Sequence, residues 1–221
     1  TQTTGVNSTL CLSTTSNAGS GCSLTAPFAG VTDNFWSGTK TIRPNFTFLV
    51  NRPYTKANIN IQEDWINNGA FEAGFSRVEF DSTIANTIGG TQNTTFAELQ
   101  LNKGAANQYV TQLRPVFIDS SLILTQGSML MNAQTLTMNN NALTGGTIVA
   151  PTGPFTRTNG FLISESASAQ VIWKNLNTVG WRNIPFGNSA TAAAPTFIPY
   201  SVQLSSFTNP AGLGDFSVST Y

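Results

Sequence analysis

Val78-Glu-Phe80, Leu99-Gln-Leu101 and Leu122-Ile-Leu124 decide how this chain is read. Each run sets two apolar residues two positions apart, the period of a strand with one buried face. Their last residues head a series, Phe80, Leu101, Leu124, Ile148 and Ile172, with steps of about 21 to 24 residues. A second series, Ile88, Val110 and Leu130, steps by about 20 to 22, and a third, Phe96, Phe117 and Thr137, keeps a similar period. Three short strands per period of about 22 residues make one rung of a parallel β-helix, and repeats of this length mark solenoids. Alternate side chains of each rung would stack inside as apolar columns, with Thr, Asn and Gln stacked outside. The expected fold is therefore all-β, a right-handed parallel β-helix. A β-sandwich with strands every 8–12 residues is the alternative that short runs also allow.

Other runs fit the same reading: Phe46-Thr-Phe-Leu-Val50, Ile59-Asn-Ile61, Val116-Phe-Ile118, Met129-Leu-Met131, Leu136-Thr-Met138 and Ile148-Val149. Gly, Asn or Ser bounds each one, and few segments show the apolar spacing of a helix. Solenoids need covered ends. Residues 1–57 lack the period and hold Cys11, Cys22, Trp36 and several prolines, so they are expected to form an N-terminal cap or lead-in module. Residues 58–221 are then the solenoid domain. Beyond Trp173 the pattern breaks, and Gly180-Trp-Arg-Asn-Ile-Pro-Phe-Gly187 and Phe197-Ile-Pro-Tyr-Ser-Val-Gln-Leu204 are expected to close the far end as antiparallel strands.

Composition narrows the function. Of 221 residues 40% are hydrophobic, enough for a core, but only 9% are charged, against roughly 25% in an average domain. Ser, Thr and Asn supply the polarity, making about a third of the chain. Ten basic residues balance ten acidic ones, so the chain lacks the basic stripe of a nucleic-acid binder and the polybasic patch of a membrane-surface protein. No run approaches the roughly 20 apolar residues of a membrane span, so membrane insertion is not expected. There is no histidine, which removes the Ser-His-Asp triad, the Cys-His dyad and His-based zinc sites. Cys11 and Cys22 lie in a Ser/Gly/Asn-rich stretch and could close a small disulfide loop, with free thiols as the alternative. A disulfide would place the chain outside the cytoplasm. The stretch Thr1-Gln-Thr-Thr-Gly5 has neither a basic nor an apolar leader region, so an exported chain would already have lost its signal peptide.

An ordered set of motifs carries a resemblance. It comprises Asp64-Trp-Ile-Asn-Asn-Gly-Ala-Phe71, Gly74, Val78-Glu-Phe80, Thr87-Ile-Gly-Gly90, Thr95-Phe-Ala-Glu-Leu-Gln-Leu-Asn-Lys103, Leu122-Ile-Leu-Thr-Gln-Gly127, Leu136-Thr-Met138, Thr156-Arg-Thr-Asn-Gly160, Ile163-Ser-Glu165 and Ile184-Pro-Phe-Gly187. Over roughly residues 58–204 this series resembles the repetitive β-rich ectodomains of Bacteroidota cell-surface and secreted proteins. Those are exported by the type IX secretion system and include the large adhesins of gliding motility. The resemblance implies an extracellular β-helix-like module with a structural or adhesive role and no catalytic residues. The family's C-terminal sorting domain is missing, which implies processing, or a piece or partner of a longer protein. The resemblance also makes Asp81-Ser82-Thr83 an O-glycosylation signal, with Ser82 as the acceptor; an unmodified turn is the other reading.

The remaining candidates are read from the residues. Asn-x-Ser/Thr sequons begin at Asn7, Asn45 and Asn93, as chance supplies in so Asn- and Thr-rich a chain. Glu63 and Asp64 are adjacent, and Glu79 and Asp81 share a strand face. Such pairs can bind Ca²⁺ or serve as acid and base, with Arg77, Lys103 or Arg114 recruited as in a polysaccharide lyase. Without the acid density of a calcium loop they read as solvated charges, so no metal, cofactor or catalytic residue is expected. Trp36, Trp65, Trp173 and Trp181 could each stack on a sugar ring or fill a core corner. The loop 187–196 and the run Phe216-Ser-Val-Ser-Thr-Tyr221 are candidate contact elements, with Phe216, Val218 and Tyr221 on a strand that could dock by β-augmentation. The leading expectation is a non-enzymatic adhesion or structural subunit at the cell surface, bound to a larger adhesin or filament protein and to glycans. A carbohydrate-active enzyme and a carbohydrate-binding module are the alternatives.

Overall fold

A computed structural model of the chain describes residues 8–11, 40–42, 46–49, 58–74, 76–139, 155–176, 180–188, 196–205 and 214–220. Among them all regular structure is β, seventeen strands and no helix. The strands stack in parallel as a solenoid of about four turns, not as a sandwich. Each turn lays down three strands, and equivalent strands form three ladders.

The first ladder joins 58–61, 77–80, 98–101, 121–124 and 155–157. Alternation puts two apolar columns inside it, Ile59-Val78-Leu99-Leu122 and Ile61-Phe80-Leu101-Leu124, each residue at most 1% exposed. The second ladder runs through 40–42, 65–67, 86–90, 109–112, 128–130, 161–163 and the strand Gly180–Gly187. The third runs through 94–96, 116–118, 136–138 and 171–173 and buries Phe96, Ile118, Met138 and Trp173 in register. Long strands serve more than one ladder: Val116–Leu130 turns two corners and contributes to all three.

The far end closes with antiparallel strands, as expected. Phe197–Leu204 pairs with Gly180–Gly187, and Gly214–Val218 pairs with Val171–Leu176. At the near end, Lys40–Ile42 and Phe46–Leu49 pair in parallel with 65–67 and 70–72, and Ser8–Cys11 pairs with 46–49. The ladders therefore run through the boundary expected at residue 57.

All three of the expected series need correction. Phe80, Leu101 and Leu124 are in register, but the next position in their column is Arg157, and Ile172 belongs to the third ladder, opposite Thr137. Ile148 lies outside the described residues. Ile88 pairs with Gln112, while Val110 pairs with Asn86 and Met129. Phe117 and Thr137 share a column with Thr95, whereas Phe96 stacks on Ile118 and Met138. The reason is unequal turns. In-register steps along the first ladder are 19, 21, 23 and 33 residues (61 to 80, 80 to 101, 101 to 124, 124 to 157). A one-residue slip moves a side chain to the opposite face.

The outer face is tied from rung to rung by polar side chains. Asn60 Nδ2 donates to Asp81 Oδ2 at 3.1 Å, Asn102 Nδ2 to Glu79 Oε1 at 2.9 Å, and Gln100 Nε2 to Thr125 Oγ1 at 3.1 Å. Arg77 and Glu98 form an ion pair at 3.0 Å in which the glutamate side chain is only 7% exposed. A double-mutant cycle on Arg77→Ala and Glu98→Ala, read by urea unfolding, should give a coupling of about 1 kcal/mol. The single Arg77→Ala should be the more costly arm, because it takes the guanidinium away from a buried carboxylate.

One turn is strained. Asn132 and Ala133 adopt φ of 47° and 59°, where asparagine is tolerated and alanine is not favoured. Ala133→Gly should raise the unfolding free energy by about 0.5–1 kcal/mol, and a lower denaturation midpoint would contradict this account.

Candidate functional site

The corner between the first and second ladders holds the most unusual chemistry among the described residues. The chain leaves Phe80, passes through 81–85 and re-enters the second ladder at Asn86. Asn86 is 1% exposed and stacks in register on Val110, which stacks on Met129, so a primary amide occupies an otherwise apolar column. One rung later Lys103 follows Leu99 and Leu101 with the same inward parity, and it is 2% exposed. Gly127 makes room for its stem: with φ of +89°, a Cβ there would stand 2.4 Å from Lys103 Cγ.

Lys103 Nζ reaches back to the preceding rung. It donates to Ser82 Oγ and to the Ile84 carbonyl, each at 2.7 Å, and to Asn86 Oδ1. Ser82 Oγ in turn donates to Asn86 Oδ1 at 2.7 Å. Asn86 Nδ2 donates to the main-chain carbonyls of Gln62 and Glu63, one rung further back. Gln108 braces the turn, accepting from Ala105 N at 3.1 Å and donating to the Thr83 carbonyl at 2.5 Å. Three rungs thus meet at one amide. Burial pushes the Lys103 amine down from 10.5 to about 8, opposed by the negative charge of Asp81. As an ammonium, Lys103 satisfies three acceptors with its three N–H groups. As a neutral amine it keeps two donors and turns a lone pair toward its neighbours, which makes it a nucleophile.

The other sequence candidates are scattered. Ser82 is in this corner, but its hydroxyl is engaged with Lys103 and Asn86, so glycosylation there must displace both contacts. Glu63 is exposed. Asp64 Oδ1 accepts from Thr87 N at 2.7 Å, and Arg114 Nε donates to the Gly90 carbonyl at 3.0 Å. Glu79 and Asp81 are held by separate asparagines, as described above. Among the described residues no group of three or more His, Cys, Asp or Glu side chains could hold a metal ion, and no helix is long and apolar enough to cross a membrane.

Two of the tryptophans are core residues and offer no face to a sugar. Trp65 is 1% exposed, packs edge-on against Phe71 with ring centroids 4.8 Å apart, and donates Nε1–H to Thr94 Oγ1 at 3.2 Å. Trp173 is 4% exposed and lies 6.0 Å from the Phe216 ring. The inward parity of the rungs buries them. Trp65→Phe should cost about 1–2 kcal/mol, through a lost hydrogen bond and a small void, and leave glycan binding unchanged. A glycan array combined with a denaturation curve checks both halves.

Phe216 and Val218 stand on the strand that pairs antiparallel with 171–176 and are half-buried against the core, so one edge of that strand is already used within the chain. Trp36, Cys22, Tyr221 and most of the loop 187–196 lie outside the described residues, as do the side chains of Cys11 and Trp181.

Sequence reading missed the pairing of Lys103 with Asn86. The signal available was parity, since Lys103 continues the inward phase of Leu99 and Leu101. Comparison with protein-family models, with curated proteins and with solved structures finds no match to this chain.

Proposed function

We propose that the chain is a non-enzymatic extracellular structural or adhesion module, a subunit or accessory chain of a larger cell-surface adhesin or filament. One observation carries this reading: polar and charged side chains of the described rungs are spent on tying each rung to the next. Arg77 with Glu98, Asn60 with Asp81, Asn102 with Glu79 and Lys103 with Ser82 all bridge adjacent rungs of the solenoid. Such cross-ties stiffen a stack whose backbone ladders already run along its axis. A catalytic groove would instead gather acids and bases on one spot. The neutral hydroxyl- and amide-rich surface suits contact with glycans or neighbouring subunits over a range of ionic strengths.

Mass spectrometry of the complex isolated with the chain from its native source tests this. Stoichiometric recovery with a long surface or filament protein is the expected result. Recovery as a free monomer that cleaves a polysaccharide would overturn it in favour of a carbohydrate-active enzyme.

A further inference from the structure

We propose that Lys103 and Asn86 become joined by an intramolecular amide, Lys103 Nζ bonded to Asn86 Cγ, with release of ammonia. The two side chains come from adjacent rungs, are both within 2% of full burial, and meet at the amide oxygen. An amide C=O bond is about 1.2 Å long, so an amine in hydrogen-bond contact with Oδ1 lies within about 4 Å of Cγ. Ladder hydrogen bonds hold both strands, so the approach is prepaid in the fold and the effective concentration of amine is high.

The neighbouring groups suit this reaction. The Ser82 hydroxyl donates to Asn86 Oδ1 at 2.7 Å, where negative charge would develop. The Gln62 and Glu63 carbonyls accept from Nδ2 and fix the plane of the amide under attack. Burial lowers the amine toward about 8, so a neutral fraction exists near physiological pH. Asp81 is the carboxylate whose charge acts on that amine. Its Oδ2 accepts from Asn60, while its Oδ1 is buried and accepts no hydrogen bond. That leaves a basic atom to carry a proton.

The step balances without an oxidant or reductant. The Nζ lone pair forms a bond to Cγ, and the carbonyl electrons move onto Oδ1 against the Ser82 hydroxyl. Nζ gives up one proton, and Asp81 passes it to Nδ2. The carbonyl re-forms as the Cγ–Nδ2 bond breaks, and Nδ2 leaves as ammonia. The product is one secondary amide, which ties the rung of 86–90 covalently to the rung of 98–103. Ser82 contacts the reacting atoms, Asp81 is the carboxylate assigned to carry the proton, and Gly127 is a positioning residue that admits the lysine stem.

The test is mass spectrometry of the full, reduced chain, intact and after digestion. The intact mass should fall about 17 Da below the sequence mass through loss of ammonia. Trypsin should fail to cut after Lys103, and the deficit should map to the peptide 78–157. Cutting that peptide after Glu98 should add about 18 Da without separating it, because the new bond spans the cut. Lys103→Arg keeps the positive donor but cannot form the amide, so it should show the full mass and cleavage after residue 103. Wild-type chain at full mass with normal cleavage after Lys103 would overturn the proposal. So would a deficit that maps elsewhere, for instance to a succinimide at Asn68-Gly69.

Discussion

Replacing Phe80 with Ala should lower the unfolding free energy by about 3–5 kcal/mol. Phe80 is 0% exposed and stands between Ile61 and Leu101 in an inner column of the first ladder. The strands above and below are held at a fixed spacing of about 4.8 Å by their ladder hydrogen bonds. The backbone therefore cannot collapse into the void, and the lost contacts are not regained. Guanidinium unfolding should show a lower midpoint with little change in slope, the signature of lost stability rather than altered compactness. Ile84→Ala is the comparison. Ile84 is 53% exposed in the neighbouring turn, and its truncation should move stability by less than about 0.5 kcal/mol. Equal effects at the two positions would mean that the stacked columns are not the core.

The second large effect is expected at Gly90. Its φ is +111°, and a Cβ there would stand 2.2 Å from the Asn67 carbonyl oxygen and 2.5 Å from its carbon. Those atoms belong to the paired strand of the preceding rung, so they cannot swing aside as a side-chain tip could. Asn67 is itself anchored, donating Nδ2–H to the Asn93 carbonyl at 2.9 Å and to Thr94 Oγ1 at 3.3 Å. Gly90→Ala combines a left-handed backbone with a main-chain clash and should cost about 3 kcal/mol or more. Gly89 is the internal control. It has no positive φ, and the nearest neighbour of its added Cβ would be the Leu113 side chain, at 3.3 Å. Gly89→Ala should therefore cost no more than about 1 kcal/mol. A thermal melt of both variants decides the matter, and indistinguishable melting points would refute the close approach.

These two sites show what could be read before the structure. Phe80 was legible, since Val78-Glu-Phe80 repeats as Leu99-Gln-Leu101 and Leu122-Ile-Leu124, and these runs lie in register. The antiparallel closing strands were also legible, from the break in period after Trp173. A Gly-Gly pair is an ordinary turn signal, yet Gly90 lies within a strand, Asn86–Gly90. Its need for glycine comes from the rung behind it, which no local pattern names. The same holds for Trp65 and Trp173. Whether an aromatic faces sugar or core depends on its phase within a rung, and turns of unequal length shift that phase by one residue at a time. In the candidate site, Ser82 was singled out for a modification signal, and the partners that occupy its hydroxyl went unseen.

The sequence by itself determined the class of fold and the rung. Apolar residues two apart make strands, their return every twenty or so positions makes a solenoid, and a chain poor in charge needs an exterior of hydroxyls and amides. Only the tertiary structure decided which residues stand above one another. Rung partners are separated by 19 to 38 residues, and the lengths of the intervening turns set the register. That register turns Lys103, an ordinary lysine after a strand, into a buried amine lying against the Asn86 amide. Burial and proximity are properties of the stack, and no single rung contains them.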